Sequence, residues 1–423
     1  MGPLQTTKSL AQLAADVIAR CRKLASFSED ADRLRRTFLS PPMRDVHREI
    51  FAWLGRLGAA TSIDAAGNLR GLYSGSDSST PRFLIGSHLD TVPNAGAFDG
   101  ILGVMIGVAL LEALDGRKLP YAIEIVGFSE EEGVRFDTPF IGSRALVGRL
   151  DDELLNSKDA NGISVREAIR NFGLNPSEIA NAALDKAGAY LEFHIEQGPV
   201  LENLKRPLAA VEAIAGQTRM DLIFCGRANH AGTTPMYLRV DAMAGAAEWI
   251  TIVERTAKNT PGLVATVGSV ETKPGATNVI AGEARLSLDV RHESDQVRQN
   301  AVARLLHEAE EICRRRGLSL HSNVRMNQPA VAMDPLLTQQ VETAITRSGC
   351  EPLRMVSGAG HDAMILAPRL PSSMIFLRTP GGISHNPAES VSLDDVAKAI
   401  ECGLYLLDQF ADLPTFQSRT LRA

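Results

Sequence analysis

Residues 82–132 have the sequence RFLIGSHLDTVPNAGAFDGILGVMIGVALLEALDGRKLPYAIEIVGFSEEE and contain the segments that decide the fold. Residues 82–89 form an apolar run broken by one glycine, which predicts a buried strand. Residues 101–114 form a longer apolar run that predicts a buried helix, and residues 121–129 predict a second buried strand. This order of strand, loop, helix and strand indicates an α/β sheet with polar loops at its strand ends.

A different pattern begins near Glu212 and continues to Pro329. Short alternating strands are interleaved there with helical stretches at 240–257 and 294–316, in the order strand, helix, strand, strand, helix, strand. That order is typical of a ferredoxin-like α+β unit. The strands are RMDLIFCGR (219–227), LVATVGSVE (263–271) and ARLSLDVRH (284–292).

After residue 330 the α/β pattern resumes, with a strand at MIFLRT (374–379) and a C-terminal helix over 392–410. We therefore predict two domains, because one pattern interrupts the other. The outer domain comprises residues 1–212 and 330–423, with a mixed sheet flanked by helices. The inserted domain comprises residues 213–329.

The composition excludes several classes of protein. Of 423 residues, 44% are hydrophobic and 22% charged, which is typical of a globular chain, and the net charge of -6 argues against nucleic-acid binding. No apolar segment reaches the roughly 20 residues that span a bilayer, and the N-terminus lacks the apolar core of a secretory signal. The five cysteines form no CxxC pair, so we expect neither a disulfide framework nor a thiolate zinc site. A reducing, cytoplasmic setting is expected, with no membrane partner.

The nine histidines fall into two groups by context. One group lies in charged or amphipathic stretches and is predicted to be at the surface. The other group stands beside Gly, Asp or Glu in loop-like segments, where imidazoles can act as ligands. The surface group is His47, His292, His307 and His321, and the loop group is His88, His194, His230, His361 and His385.

Acidic residues accompany the loop histidines. His88 ends a predicted strand, with Asp90 two residues later and Asp99 in a glycine-flanked loop. His88 could be a metal ligand oriented by Asp90, or a structural histidine capped by that carboxylate. The run Glu130–Glu132 could be a solvated loop, or it could supply a metal ligand and a general base. Histidine and carboxylate ligands without thiolates suit divalent ions such as zinc, manganese or cobalt. Two imidazoles, one shared carboxylate and two further ligands would hold two such ions.

Six motifs together resemble the dinuclear-metal amidohydrolases of the M20 peptidase-like superfamily. Within it the chain resembles the branch that holds allantoate amidohydrolase, ureidoglycolate amidohydrolase, N-carbamoyl-L-amino-acid hydrolase and β-ureidopropionase. The resemblance covers nearly the whole chain from about residue 20. The motifs are GSHLDTVPNAGAFDG (86–100), FSEEEGVRF (128–136), HIEQGPVLE (194–202), NHAGTTPM (229–236), GAGHDAM (358–364) and GGISHNPAES (381–390).

The resemblance implies a set of site residues. It implies two divalent ions per chain, zinc, manganese or cobalt, with Asp99 bridging them and Glu131 as general base. Asp90 would support His88, and His230 would polarise the scissile carbonyl from the neighbouring subunit. The implied metal ligands are His88, Asp99, Glu132, His194 and His385. The implied substrate-binding residues are Gln197, His230, Asn278, Arg291 and His361.

The resemblance also implies a function, in which the outer domain is catalytic and the inserted domain serves as dimerisation and lid domain of a homodimer. The expected reaction is hydrolysis of a linear ureido C–N bond, with release of ammonia and carbon dioxide. The substrate would be a small ureido carboxylate held by Arg291, since a guanidinium pairs with a carboxylate through two hydrogen bonds.

We favour allantoate as the substrate and purine catabolism as the setting. N-carbamoyl-L-amino acids, 3-ureidopropionate and ureidoglycolate remain alternatives. More distant alternatives are an M20-type aminopeptidase or deacylase and a scaffold without catalysis.

Overall fold

The computed structural model describes residues 8–77, 81–185 and 187–411. These residues divide into two compact units. The first contains the chain up to Glu212 and again from Met333, and the second is Ala213–Ala332. Residues 1–7 and 412–423, which form the two ends of the predicted outer domain, lie outside the described residues. Residues 1–7 also belong to the N-terminal stretch in which the sequence lacks the apolar core of a secretory signal.

The helices and strands follow the hydrophobic pattern of the sequence. The helices are α1 (Leu10–Ala25), α2 (Pro41–Arg56), α3 (Ile101–Ala113), α4 (Ile141–Leu146), α5 (Asp152–Asn156), α6 (Val165–Asn171), α7 (Val200–Leu204), α8 (Ala242–Lys258), α9 (Asp295–Arg316), α10 (Pro335–Arg347), α11 (Asp362–Leu366) and α12 (Leu393–Ala411). The strands are β1 (Ala60–Ile63), β2 (Leu69–Tyr73), β3 (Arg82–His88), β4 (Ile123–Phe128), β5 (Ala187–Ile195), β6 (Leu208–Ile214), β7 (Gly216–Cys225), β8 (Asn229–His230), β9 (Val264–Thr266), β10 (Val270–Lys273), β11 (Val279–Ile280), β12 (Glu283–His292), β13 (Ser319–Gln328), β14 (Val331–Ala332), β15 (Arg354–Ser357) and β16 (Ser372–Leu377).

The first unit is built on a mixed sheet, in the order β1-β2-β4-β3-β5-β16-β6-β14, with β15 also paired to β6. The central strands β4, β3, β5 and β16 run parallel, and the flanking pairs are antiparallel. The predicted α/β fold with a mixed sheet and flanking helices is confirmed. Parallel central strands matter for function, because their carboxyl ends meet at one edge of the sheet.

Helix α3 joins β3 to β4 and is buried on almost every side. A side chain at Gly103 would overlap the backbone oxygen of Phe193 in β5, so this glycine lets the helix lie directly on the sheet. The start of α3 is thereby fixed close to the carboxyl ends of β3 and β5.

The second unit contains a sheet in the order β10-β12-β7-β13, with β9 paired to β12. Helices α8 and α9 occupy the two helical positions of the βαββαβ order, and a separate apolar core of this unit includes Trp249 and Leu305. The chain leaves the first unit in β6 and returns in β14, and these strands pair antiparallel, with Ala213 opposite Ala332.

Two of the four histidines predicted to be at the surface are buried instead. The side chain of His47 packs against Phe51 and Phe172, and His292 accepts a hydrogen bond from the Ser294 N–H. The prediction was wrong because a histidine on the apolar face of an amphipathic helix or strand is buried together with its neighbours. The five cysteines, all within the described residues, are free thiols.

Among the residues described, no helix combines the length and the apolar character that crossing a bilayer requires.

Candidate metal centre

The candidate site lies at the carboxyl ends of the parallel strands of the first unit. His88 is the last residue of β3, and the run Glu130–Glu132 follows the end of β4. His194 stands near the end of β5, and the chain reaches His385 after β16. Residues far apart in the sequence therefore meet because parallel strands end at the same edge.

Asp99 lies at the centre of this group. Its carboxylate oxygens are 3.1 Å from Nε2 of His385, 3.3 Å from Nε2 of His194 and 3.9 Å from Nε2 of His88. Asp99 is 4% exposed, and burial opposes its charged form, but the surrounding imidazoles outweigh burial and lower the pKa of Asp99. The next residue, Gly100, has a positive φ of 68°, and a side chain there would lie 2.5 Å from the ring of His88.

Backbone carbonyls determine which ring nitrogen of two histidines carries the proton. Nδ1 of His88 lies 3.0 Å from the carbonyl oxygen of Asp90, and Nδ1 of His194 lies 2.9 Å from that of Ile195. A carbonyl can only accept, so Nδ1 is protonated in both rings. In the neutral form of each ring Nε2 is then the unprotonated nitrogen, and it lies on the side of Asp99, which is the arrangement that a metal ligand needs.

The acidic run after β4 is buried rather than solvated. Its backbone is fixed by Asp90, whose carboxylate accepts hydrogen bonds from the N–H groups of Glu131 at 2.9 Å and Glu132 at 3.1 Å. Burial and then the adjacent Glu132 raise the pKa of Glu131 well above its usual value, and burial and then Asp99 do the same for Glu132. Burial also raises the pKa of Asp90 to about 7.

The donor set fits divalent cations. In the described residues, possible ligand atoms lie within 4.8 Å of one another in two groups that share Asp99. One group adds His88 and His194, and the other adds Glu132 and His385. Nε2 of His194 is buried without a hydrogen-bond partner, and so many close carboxylates repel one another unless a cation lies between them.

Two further predicted residues lie against this group. Nε2 of Gln197 donates to both oxygens of Asp99, at 3.2 and 3.1 Å, and its backbone has a positive φ of 59°. The ring of His361 packs edge-on against His194 with centroids 4.4 Å apart, and its Nε2 lies 2.9 Å from the hydroxyl of Ser357. His361 is therefore buried behind His194.

Asp90 contacts His88 differently from the sequence expectation. The hydrogen bond to the imidazole comes from its backbone carbonyl, and its carboxylate lies 3.6 Å from Nδ1. The carboxylate instead fixes the loop that carries Glu131 and Glu132.

The remaining predicted residues belong to the second unit. His230 and Asn278 are exposed neighbours there, because β8 pairs with β11 and Ala231 donates to the backbone oxygen of Asn278. Arg291 lies in β12 and makes two hydrogen bonds to Asp289, from Nε at 2.9 Å and Nη2 at 2.8 Å.

Two buried carboxylates of the site were missed by sequence reasoning. Glu389 accepts from the N–H groups of Phe98 at 2.8 Å and Asp99 at 3.0 Å, and burial raises its pKa to about 7. Glu192 accepts from the Ser87 hydroxyl at 2.9 Å and the Ala363 N–H at 2.9 Å. Glu389 lies in the motif GGISHNPAES, a usable signal, whereas Glu192 is an isolated acid in an apolar strand.

Several known proteins are similar to this chain. The chain is 37% identical to a probable allantoate deiminase of Oryza sativa subsp. japonica, over 94% of this chain and 89% of that protein. It is 39% identical to an N-carbamoyl-L-amino acid amidohydrolase of Geobacillus stearothermophilus, over 86% of this chain and 90% of that protein. The structure is similar to that of an amidase of the hydantoinase/carbamoylase family from Burkholderia multivorans, with a TM-score of 0.90, 30% identity, and 95% of this chain and 98% of that chain covered.

The family model described as peptidase family M20/M25/M40 matches residues 84–409, which span the candidate centre from β3 to α12. Together with the relatives above, this match confirms the resemblance inferred from the motifs, and the chain belongs to peptidase family M20/M25/M40.

Proposed function

We propose that this protein is a metal-dependent amidohydrolase that cleaves a linear ureido C–N bond, with allantoate as its preferred substrate. The observation that carries the proposal is the arrangement around Asp99, where three imidazoles and Glu132 surround one buried carboxylate and Glu131 lies beside them. The names of the similar proteins support the ureido class of substrate. An N-carbamoyl-L-amino acid is the second candidate, supported by the 39% identity to such an amidohydrolase.

The proposed ligands of two divalent cations are His88, Asp99, Glu132, His194 and His385. Asp99 would bridge the two sites, because it belongs to both groups of ligand atoms. Zinc, manganese and cobalt all suit imidazole and carboxylate ligands. Two such cations would lower the pKa of a water molecule and polarise the substrate carbonyl.

Glu131 would act as the general base. Its buried position among acidic residues raises its affinity for a proton, which a group that deprotonates water needs. Glu131 takes a proton from the attacking water and later returns it to the leaving nitrogen, so that the C–N bond breaks. The overall reaction consumes one water and converts a ureido group into an amine, ammonia and carbon dioxide.

The second unit would supply the groups that bind the rest of the substrate. We assign the substrate carboxylate to Arg291, because a guanidinium forms paired hydrogen bonds with a carboxylate. His230 would donate to the carbonyl oxygen of the ureido group. Asn278, which adjoins His230, and Gln197 of the first unit would contact polar atoms between the two ends of the substrate.

We also propose a homodimer formed through residues 213–329, in which His230 acts in the neighbouring subunit's site. Large apolar side chains are exposed in this unit, including Tyr237 at 85% and Met236 at 76%, close in sequence to His230. Strand β13 lies at the edge of its sheet, with Val324 54% exposed. Apolar exposure of this kind favours an interface with another chain.

The test is a panel of ureido acids assayed for ammonia release after addition of manganese, cobalt or zinc. The panel contains allantoate, ureidoglycolate, 3-ureidopropionate and several N-carbamoyl-L-amino acids, with a dipeptide and an N-acetyl amino acid as controls. We expect release from allantoate to be fastest and to stop on chelation. Faster hydrolysis of the dipeptide or the N-acetyl compound would contradict the ureido assignment.

A further inference from the structure

Asp289 is surrounded by hydrogen-bond donors on the polar face of the sheet in the second unit. It stands opposite Arg219 in the β7–β12 ladder, and Arg291 stands opposite Gln217. The intervening residues Thr218 and Val290 are buried on the other face. Alternation along the two strands therefore brings Asp289 and its donors to the same face.

The contacts show how closely Asp289 is held. Its oxygen Oδ2 accepts from Nε2 of Gln217 at 2.8 Å and from Nε of Arg219 at 3.0 Å. The same carboxylate receives Nε of Arg291 at 2.9 Å and Nη2 of Arg291 at 2.8 Å. Burial opposes the charged form of Asp289, but these donors, led by Arg291, lower its pKa below the usual value.

The charges of this cluster do not cancel. Two guanidinium groups share one carboxylate, so Arg219, Arg291 and Asp289 together carry one positive charge. Asp289 engages the Nε edge of the Arg291 guanidinium, through Nε and Nη2. A planar guanidinium that is already fixed in orientation loses less conformational entropy when it pairs with a further carboxylate.

We propose that Asp289 is a positioning residue that holds the guanidinium of Arg291 in the orientation that receives the substrate carboxylate. The inference rests on the proposed function, since it assumes that Arg291 binds an anionic end of a ureido acid. Asp289 sets the affinity for that end and takes no part in bond cleavage. Gln217 and Arg219 act through Asp289, because both donate to its carboxylate.

The experiment compares steady-state kinetics of the full-length, metal-loaded enzyme and of Asp289→Asn. The substrates are the ureido acid of the panel that is hydrolysed fastest and the carboxamide of the same compound. For the acid, KM should rise roughly tenfold, as expected when a charge-assisted pair is lost, while kcat changes less than about twofold. For the carboxamide, KM should not change, because the amide does not pair with an oriented cation in this way.

Asp221→Asn is the matched control. Asp221 lies on β7 two residues after Arg219, stands opposite Ser287 of β12 and pairs with Arg325 at 3.0 Å. It should leave the ratio of KM values for acid and carboxamide unchanged. If Asp289→Asn folds poorly, Gln217→Leu removes one donor to Asp289 and should raise KM for the acid about two- to threefold, the effect of a neutral hydrogen bond.

The outcomes separate the two hypotheses. A wild-type enzyme that hydrolyses no ureido acid overturns the proposed function and this inference with it. In a second outcome, the wild type hydrolyses a ureido acid, but Asp289→Asn has the same ratio of KM values for acid and carboxamide as the wild type. That result overturns only the inference. A lower KM for the acid in Asp289→Asn also overturns it, because Asp289 would then compete with the substrate instead of positioning Arg291.

Discussion

At the scale of single residues, Glu131 can be distinguished from the acids around it. Glu131 and Glu132 share one group of possible metal ligands with His88, but only Glu132 also belongs to the group of Asp99 and His385. Asp90 supports the loop through the two backbone N–H groups. For Glu131→Gln we expect kcat to fall at least about a thousandfold, within the range for removal of a general base. Ammonia release measures activity, and elemental analysis of the purified protein measures the bound metal.

The metal content of Glu131→Gln should match that of the wild type, because its proposed role is proton transfer. Glu153→Gln changes an exposed acid of α5 and should retain full activity. Undiminished ammonia release by Glu131→Gln would remove this residue from the mechanism.

His47 should make stability depend on pH. Burial, with a smaller effect of Arg36 and Arg44, lowers the pKa of His47 from 6.5 to about 3, and neither ring nitrogen has a hydrogen-bond partner among the described residues. Between pH 6.5 and 3 the unfolded chain binds a proton that the folded chain does not, so acidification favours unfolding. The stabilising contribution of neutral His47 to the free energy of unfolding is complete above pH 6.5. Below pH 6.5 it declines by up to about 1.4 kcal/mol per pH unit.

His47→Leu removes this group and should flatten the pH profile. Urea unfolding of both proteins at several values between pH 7.5 and 4.5 measures the free energy of unfolding. Other titrating groups and the loss of metal affect both proteins alike, so the difference between the curves reports on His47. Parallel curves would show that His47 does not titrate as its burial requires.

Residues differ in how far the sequence could place them. His88, Asp99 and His385 were found because they lie in glycine-rich motifs, and the structure brings the two histidines to the carboxylate of Asp99. Glu192 could not be found, because an acid inside an apolar strand becomes meaningful only when the hydroxyl and N–H groups around it are known. His47 was misplaced because burial depends on which side of α2 meets the core.

At the scale of secondary structure, the position of α3 depends on close contact with the sheet. A side chain at Gly103 would overlap the backbone oxygen of Phe193 and approach Cβ of Ser87 at 3.0 Å. For Gly103→Ala we expect a loss of stability of about 2 kcal/mol or more, since neither a strand backbone nor a buried helix yields easily. Thermal unfolding measures this loss.

Gly55→Ala is the matched control for that variant. Gly55 also lies in a helix, α2, but no atom lies within 4 Å of a side chain placed there. Alanine favours the helix by roughly 0.5–1 kcal/mol over glycine, so this variant should be as stable as the wild type or more stable. Equal losses in both variants would contradict the close-contact explanation.

Secondary structure was predictable where an element is long and apolar. The strand predicted at 82–89 is Arg82–His88, and the helix predicted at 101–114 is Ile101–Ala113. The two-residue strands β8 and β11 were not predictable, because their ladder joins residues about 50 positions apart and two residues carry no periodic pattern.

At the scale of the whole molecule, bound cations should stabilise the first unit selectively. Every candidate metal group of the described residues lies in that unit. A free cation concentration one hundred times the Kd adds about 2.7 kcal/mol to the free energy of unfolding. Chelation should therefore lower the unfolding temperature of the first unit and leave that of the second unit unchanged. Calorimetry with and without a chelator measures both transitions. An equal shift of both transitions would contradict a metal site confined to the first unit.

The proposed dimer makes a further prediction. His230→Ala and Glu131→Gln should each be inactive as homodimers, since each site would lack one group. In a mixture that exchanges subunits, the heterodimer has one site with Glu131 and a donated His230. Random pairing then restores about a quarter of wild-type activity, because half of the dimers carry one working site. No recovery after verified exchange would place His230 outside the neighbouring subunit's site.

The pairing of β6 with β14 has a consequence for the history of the fold. Residues Glu212 and Met333 are neighbours in space, joined by a hydrogen bond of 2.9 Å from the Met333 N–H to the Glu212 carbonyl, although 120 residues separate the units' boundaries. A module whose two ends emerge side by side can be gained, lost or exchanged without shifting the register of the host sheet. One ancestral sheet could thus acquire different partner modules, and with them new substrates, while its metal-binding edge stayed intact.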